Sequence, residues 1–334
     1  MIKDLSKNSN PYYPTFKLKR LLRKQIKKIG QYPNANSELL EVNLSETFKI
    51  EPNNILLTNG SLEGMDLILK RFSQKKIGIF SPTFWGISVL AKKNQCEIYS
   101  ECLSDPFIYN LEDIAKLARK VKLIYICNPN NPTLAEVDKK ELLALIKQNS
   151  DCHFLIDETV LAFSEEYEKK TLYKEVSHLN NLTVILSFSK IFNIGGMRLA
   201  ILFSNQDFVT SLKKEMLIYK NNILNEGIVE YLANNFTKID RNKFKNTLEK
   251  FIDALDKRYV EKYKINDGSF ILIKFNDNIN SDFLVNYLEK KGYIIANISQ
   301  MYLEMEKNWV RISIGKKNTM LKLARIINNY VRNK

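Results

Sequence analysis

The sequence predicts an α/β fold: a large domain with a mostly parallel sheet sandwiched by helices, then a smaller α+β C-terminal domain, preceded by an N-terminal arm. Three observations carry this. Short apolar runs of strand length recur at 55–58, 77–80, 96–99, 123–126, 154–156, 184–186 and 199–203. Helical segments separate them, and strands alternating with helices imply right-handed crossovers and a sheet buried on both faces. Beyond about residue 225 the order changes. A long helical stretch (236–259) precedes an apolar run at 270–273, a helix at 283–290, short runs at 293–295 and 309–314, and a terminal helix.

The elements follow in chain order. Residues 1–16 are polar, with turn signals at Pro11 and Pro14. A helix is expected over 17–29, where Leu18, Leu21, Leu22, Ile26 and Ile29 recur at helical spacing among lysines and arginines. That charge is read as the solvated face of an amphipathic helix. A second helix spans 37–48, with Leu39, Leu40, Val42 and Leu44 as apolar positions. The first strand then leads through Asn59-Gly60-Ser61 into a helix carrying Met65, Leu67, Ile68 and Leu69. The expected division is arm and helix 1–30, large domain 31–225 and small domain 226–334.

Composition narrows the class. The chain has 334 residues, 45% of them hydrophobic, with 11 Gly and 8 Pro, enough to bury a substantial core. No apolar run reaches the roughly 18 residues that span a bilayer, and residues 1–6 hold no apolar leader core. Cys96, Cys102, Cys127 and Cys152 show no metal or redox spacing and read as thiols of a reducing cytoplasm. The net charge of +14 is spread along the chain without a nucleic-acid motif. A cytoplasmic enzyme is expected, with neither nucleic acid nor membrane as a partner.

Ligands of such sheets bind beyond the carboxyl ends of the strands. Candidate chemistry falls there repeatedly: after Thr58, after Phe80, after Cys127, at Asp157 and at Ser187. Ser187-Phe188-Ser189-Lys190 closes one apolar run and is followed by Gly195-Gly196-Met197-Arg198. Upstream lie Asn128-Pro129-Asn130-Asn131-Pro132-Thr133 and Ile156-Asp157-Glu158. An amine nucleophile, a carboxylate at a strand end, an amide and a phosphate-ready arginine are what holds pyridoxal 5'-phosphate as a Schiff base with a protonated ring nitrogen. A carboxylate after Phe154-Leu155-Ile156 is costly to bury without such a cation.

This joint pattern resembles the fold type I pyridoxal-phosphate enzymes of the class I/II aminotransferase family over nearly the entire chain. The similarity is to the branch of histidinol-phosphate aminotransferases and threonine- and serine-phosphate decarboxylases. The resemblance implies that Lys190 forms the Schiff base and shuttles the Cα proton, and that Asp157 pairs with the ring nitrogen. It implies Asn131 on the ring oxygen, and a phosphate cradle of Gly60, Ser61, Ser187, Ser189 and Arg198. Phe84, in preference to Trp85, matches the aromatic over the pyridine ring. Tyr32 matches a tyrosine that reaches the cofactor phosphate of the other subunit, which implies a homodimer with a shared active site. Arg311 matches the arginine for the substrate carboxylate, and Tyr12 and Tyr13 of the arm lie among the residues expected around the substrate tail.

Two positions depart from the family pattern. Val160 stands where the aminotransferases of this branch carry a tyrosine, and Ala296 stands near the place of a second anion-binding arginine. Residues 4–11 resemble the decarboxylases, whereas Ser-Phe-Ser-Lys resembles the transaminases. The expected activity is an aminotransferase acting on a small amino substrate, phosphorylated or not. The alternative is a decarboxylase of serine phosphate or threonine phosphate.

Overall fold

A computed structural model describes residues 2–265, 268–302 and 304–333. The strands are β1 (Lys3–Asp4), β2 (Ile55–Thr58), β3 (Lys76–Ser81), β4 (Glu97–Cys102), β5 (Leu123–Cys127), β6 (His153–Asp157), β7 (Leu182–Ser187), β8 (Ala200–Ser204), β9 (Val260–Ile265), β10 (Phe270–Phe275), β11 (Tyr293–Ile294), β12 (Ala296–Asn297) and β13 (Trp309–Ser313).

Seven strands form one sheet in the order β2-β8-β7-β6-β5-β3-β4. Strands β3 to β7 are mutually parallel where they pair. β8 runs antiparallel to both its neighbours, so the sheet is mostly parallel with one reversed strand. The period of two shows in the packing. Ile124, Ile126 and Ile156 face one core layer; Leu123, Tyr125, Leu155 and Ile185 face the other. Layers on both faces explain why every residue of β5, β6 and β7 is buried.

The second sheet is antiparallel, in the order β12-β13-β10-β9. Here the structure differs from the reading above. The stretch 236–259 is not one helix: helices Val229–Phe236 and Asn242–Asp253 are separate, and β9 follows. β9 is Val-Glu-Lys-Tyr-Lys-Ile at the sheet edge, too polar to read as a strand from apolar runs.

The polar arm is also more than a loop. β1 pairs in parallel with β11. Leu5 is buried, and its carbonyl accepts from the Ser313 N–H at 2.8 Å. Two-residue strands leave no periodic signal; backbone groups far apart in sequence complete them. The arm's helix spans Phe16–Ile26, with the Thr15 hydroxyl capping the Leu18 N–H. Cys96, Cys127 and Cys152 are buried and Cys102 is exposed. Among the described residues no helix is long and apolar enough to cross a membrane, and no cluster of three or more metal-ligating side chains occurs.

Candidate active site

The carboxyl ends of β5, β6 and β7 open on a cavity of about 180 Å³. Its wall includes Ser61, Phe84, Asn131, Asp157, Ser187, Ser189, Lys190 and Arg198. The sheet thus gathers eight of the residues singled out from sequence.

Lys190 sits on a short helix, Phe188–Ile191, whose start is capped by Ser187: its hydroxyl accepts from the Ser189 N–H at 3.3 Å. The Lys190 Nζ donates to the Lys7 carbonyl of the arm at 2.8 Å. Burial lowers its pKa, and the charges of Arg311, Lys7 and Arg198 lower it further. A lysine so placed offers more free amine than a solvated one, which suits a nucleophile.

Asp157 ends β6 and is buried. Its Oδ2 accepts from the Tyr125 hydroxyl at 3.0 Å and its Oδ1 from the Thr159 N–H at 2.9 Å. Burial pushes its pKa up, against these hydrogen bonds. A cation facing this carboxylate would favour its charged form.

Gly60 links β2 to the helix Ser61–Arg71 at φ +82°, a conformation that favours glycine. A Cβ there would lie 2.5 Å from Nη2 of Arg198. Arg198 is itself left-handed, at φ 53°. The Asn225 amide steadies that turn by donating to the carbonyls of Met197 and Arg198 at 3.0 and 3.3 Å.

Arg311 lies mid-strand in β13 and is buried. Its Nη1 donates to the Asn131 Oδ1 and its Nη2 to the Ser6 carbonyl, the latter at 2.9 Å. Its Nε is buried without a hydrogen-bond partner. Burial pushes its pKa down to about 10.

Of the two aromatics, Phe84 lines the cavity and Trp85 is 54% exposed. Val160 lines it too, packed with Leu134 and Phe270. Tyr12 is not brought to the cavity wall: its ring stacks on Phe244 with Lys243 above it. Tyr32 is 85% exposed, beside Tyr219, and does not line the cavity of its own chain.

Residues 2–327 match the family described as aminotransferase class I and II. The chain belongs to that family. The histidinol-phosphate aminotransferase of Flavobacterium psychrophilum is 30% identical over 305 residues, 90% of this chain and 86% of that protein. The L-threonine-O-3-phosphate decarboxylase of Porphyromonas gingivalis shares the fold with a TM-score of 0.88 at 20% identity, covering 99% of this chain and 100% of that one. So does the histidinol-phosphate aminotransferase of Sinorhizobium meliloti in complex with pyridoxal-5'-phosphate, with a TM-score of 0.87 at 15% identity, covering 100% and 91%.

The aminotransferase fold is thus fold type I, and the cofactor of this enzyme is pyridoxal 5'-phosphate. The residues present fit it. The Ser189 hydroxyl is buried without a hydrogen-bond partner, beside a helix start and an arginine, which is the donor set for a dianion. Asp157 offers a buried negative charge for a pyridinium. Sequence reasoning missed the parts of the aminotransferase site that the arm and the interior supply. They are the carbonyls of Ser6 and Lys7, the cavity contact of Asn8, and the hydroxyl of Tyr125. The one available signal was a tyrosine interrupting the apolar run Leu123–Cys127.

Proposed function

We propose that this aminotransferase moves an amino group between an acidic amino donor and a small amino substrate, phosphorylated or not, with Lys190 as its reactive amine. The observation that carries this is Arg311. It is a buried guanidinium with a free Nε, bonded to the cavity residue Asn131 and to the arm that also holds Lys190. A planar cationic fork in that position suits a carboxylate. The name of the Flavobacterium relative supports a phosphorylated substrate.

Pyridoxal phosphate, bound here, supplies a cationic ring that accepts the electron pair left when a bond to the substrate Cα breaks. The chain does the rest. Lys190 would be the point of covalent attachment, and its freed amine would take the proton from the substrate Cα and deliver it to the cofactor's C4′. Asp157 holds the ring nitrogen in its protonated state. The Asn131 amide would donate to the ring oxygen, and Phe84 would pack against the ring. Gly60, Ser61, Ser187, Ser189 and Arg198 hold the phosphate. Arg311 takes the substrate carboxylate as Ser6 releases it.

A homodimer completes the reading. Tyr32, Leu39, Trp85, Val89, Leu217 and Ile218 are large apolar side chains left exposed on the protomer. Tyr219 is tied to Ala35 at 2.9 Å, and Lys220 to Asn59, next to Gly60, at 2.8 Å. A partner covering these side chains would bring its Tyr32 to the phosphate cradle. The division into an arm (1–30), a large domain (31–225) and a small domain (226–334) belongs to the same reading, as does a cytoplasmic location.

Decarboxylation of serine or threonine phosphate is the second reading. It is favoured by Val160 on the cavity wall, backed by Leu134 and Phe270, and by the likeness of the arm to that group. The electron sink is the same; only the Cα bond set perpendicular to the ring differs.

Borohydride reduction of the loaded enzyme followed by peptide mass analysis tests the site: the label is expected on Lys190 and nowhere else. A panel of amino donors and phosphorylated amino acids separates the reactions. Conversion to the amine form of the cofactor supports transfer. Release of CO2 without any keto acid overturns transfer in favour of decarboxylation. Mixing Lys190→Ala with Tyr32→Ala protein tests the shared site, because only hybrid dimers then contain one intact site; no recovery of activity would count against sharing.

A further inference from the structure

The face of the large sheet toward helix Ser61–Arg71 is an apolar layer that includes Leu56, Met65, Ile79, Leu155 and Ile185. Tyr125 belongs to this layer and is 1% exposed. In the β5–β6 register Tyr125 lies opposite Leu155, and Cys127 opposite Asp157. Tyr125 is therefore the diagonal neighbour of the aspartate, within reach of a long side chain. Its hydroxyl uses that reach, donating to Asp157 Oδ2 at 3.0 Å.

Burying a phenol hydroxyl in an apolar layer is unfavourable without a partner, and burying a lone carboxylate is more so. Each group here meets the other's need. Burial and the Asp157 charge push the Tyr125 phenol well above its ordinary pKa, so it remains the donor. The Thr159 N–H fixes the second oxygen. With both oxygens held, the carboxylate plane is set by the fold.

We propose that Tyr125 is a positioning residue for the cofactor: its hydroxyl keeps Asp157 ionised and fixes its orientation, so that Asp157 can hold a proton on the pyridine nitrogen. The inference rests on the reading of Asp157 as the ring-nitrogen partner. It predicts an effect that depends on that nitrogen and on no other part of the cofactor.

The test compares two ligands of the apoenzyme: pyridoxal phosphate and its carba analogue, in which the ring nitrogen is replaced by C–H. Dissociation constants are measured for the parent, Tyr125→Phe and Asp157→Asn proteins, with circular dichroism and melting temperature to check the fold. Tyr125→Phe is expected to weaken pyridoxal phosphate by about tenfold, the size of a hydrogen bond to a charged group. The carba analogue is expected to change by less than about twofold. Equal weakening of both ligands, or no weakening of either, overturns the proposal. Should the Phe protein not fold, Tyr125→Met gives the same comparison. Asp157→Asn separates the two levels. If it leaves the preference for the nitrogen-containing ring intact, the assignment of Asp157 fails. If it abolishes that preference while Tyr125→Phe preserves it, only the role of Tyr125 fails.

Discussion

The amine of Lys190 donates a 2.8 Å hydrogen bond to the main-chain carbonyl of Lys7. The preceding carbonyl, that of Ser6, accepts from Arg311, and Asn10 binds the carbonyls of Lys190 and Ile191 through its N–H and its amide. One short stretch of arm therefore holds the reactive lysine and the buried arginine together. Deleting residues 1–10 is expected to speed cofactor loss by roughly tenfold, because Arg311 loses its Ser6 partner and the Lys190 segment loses its bonds to Asn10. Retention of the cofactor through gel filtration measures this; unchanged retention would show that the arm only caps the site.

The charge around Lys190 gives a pH dependence with a definite sign. Burial, then the neighbouring cations, disfavour its ammonium form, so its pKa lies below the ordinary lysine value. Cofactor uptake by the apoenzyme is expected to rise with pH through a midpoint below that of an ordinary lysine. Arg311→Gln removes one of those cations and should move the midpoint upward. Stopped-flow absorbance across pH reads both; a midpoint that falls in the variant contradicts the electrostatic account.

Gly60 is tested by alanine. The backbone there is at φ +82° and Arg198 occupies the space a Cβ would need. Gly60→Ala should cost about 1–3 kcal/mol of stability through backbone strain. It should also weaken cofactor binding more than tenfold, because the arginine must move. Urea unfolding and cofactor titration measure the two effects, and a variant with parent-like affinity would remove Arg198 from the cradle.

Glu158 makes a separate prediction. It is buried, accepts hydrogen bonds from the Thr171 hydroxyl and the Leu172 N–H, and burial pushes its pKa from 4.5 up to about 7. An acid whose folded pKa is raised contributes stability below its unfolded pKa and loses it as pH rises through the folded one. Stability should therefore fall between about pH 4.5 and 7, by on the order of 3 kcal/mol from this group. Glu158→Gln, neutral throughout, should flatten that part of the curve. Urea unfolding at pH 5 and pH 8 decides it; equal slopes for parent and variant would exclude Glu158.

Much of this protein was legible in one dimension. The inner strands of the large sheet announce themselves because each is an apolar run bounded by turn residues, whereas the edge strand β4, Glu97–Cys102, is half polar; the candidate chemistry stands at the strands' carboxyl ends, where crossover geometry puts any ligand. Lys190, Asp157, Asn131 and Arg198 could be read together for that reason. The sequence could not show that β8 runs backwards, since an apolar run carries no direction. It could not show that the polar residues 3–10 form part of the site, because a two-residue strand and a few carbonyl acceptors have no side-chain pattern. Nor could it place Tyr12, which packs on Phe244 outside the cavity wall, or tell Phe84 from Trp85 by anything but position.

The division has a physical basis. Burial pattern, turn chemistry and the identity of the reactive groups are local properties, written residue by residue, and they determined the fold class and the cofactor chemistry. Tertiary structure alone decided which backbone oxygens meet Lys190 and Arg311, and which hydroxyl reaches Asp157. Those partners are far apart along the chain, and their meeting depends on sheet register and on where the arm docks.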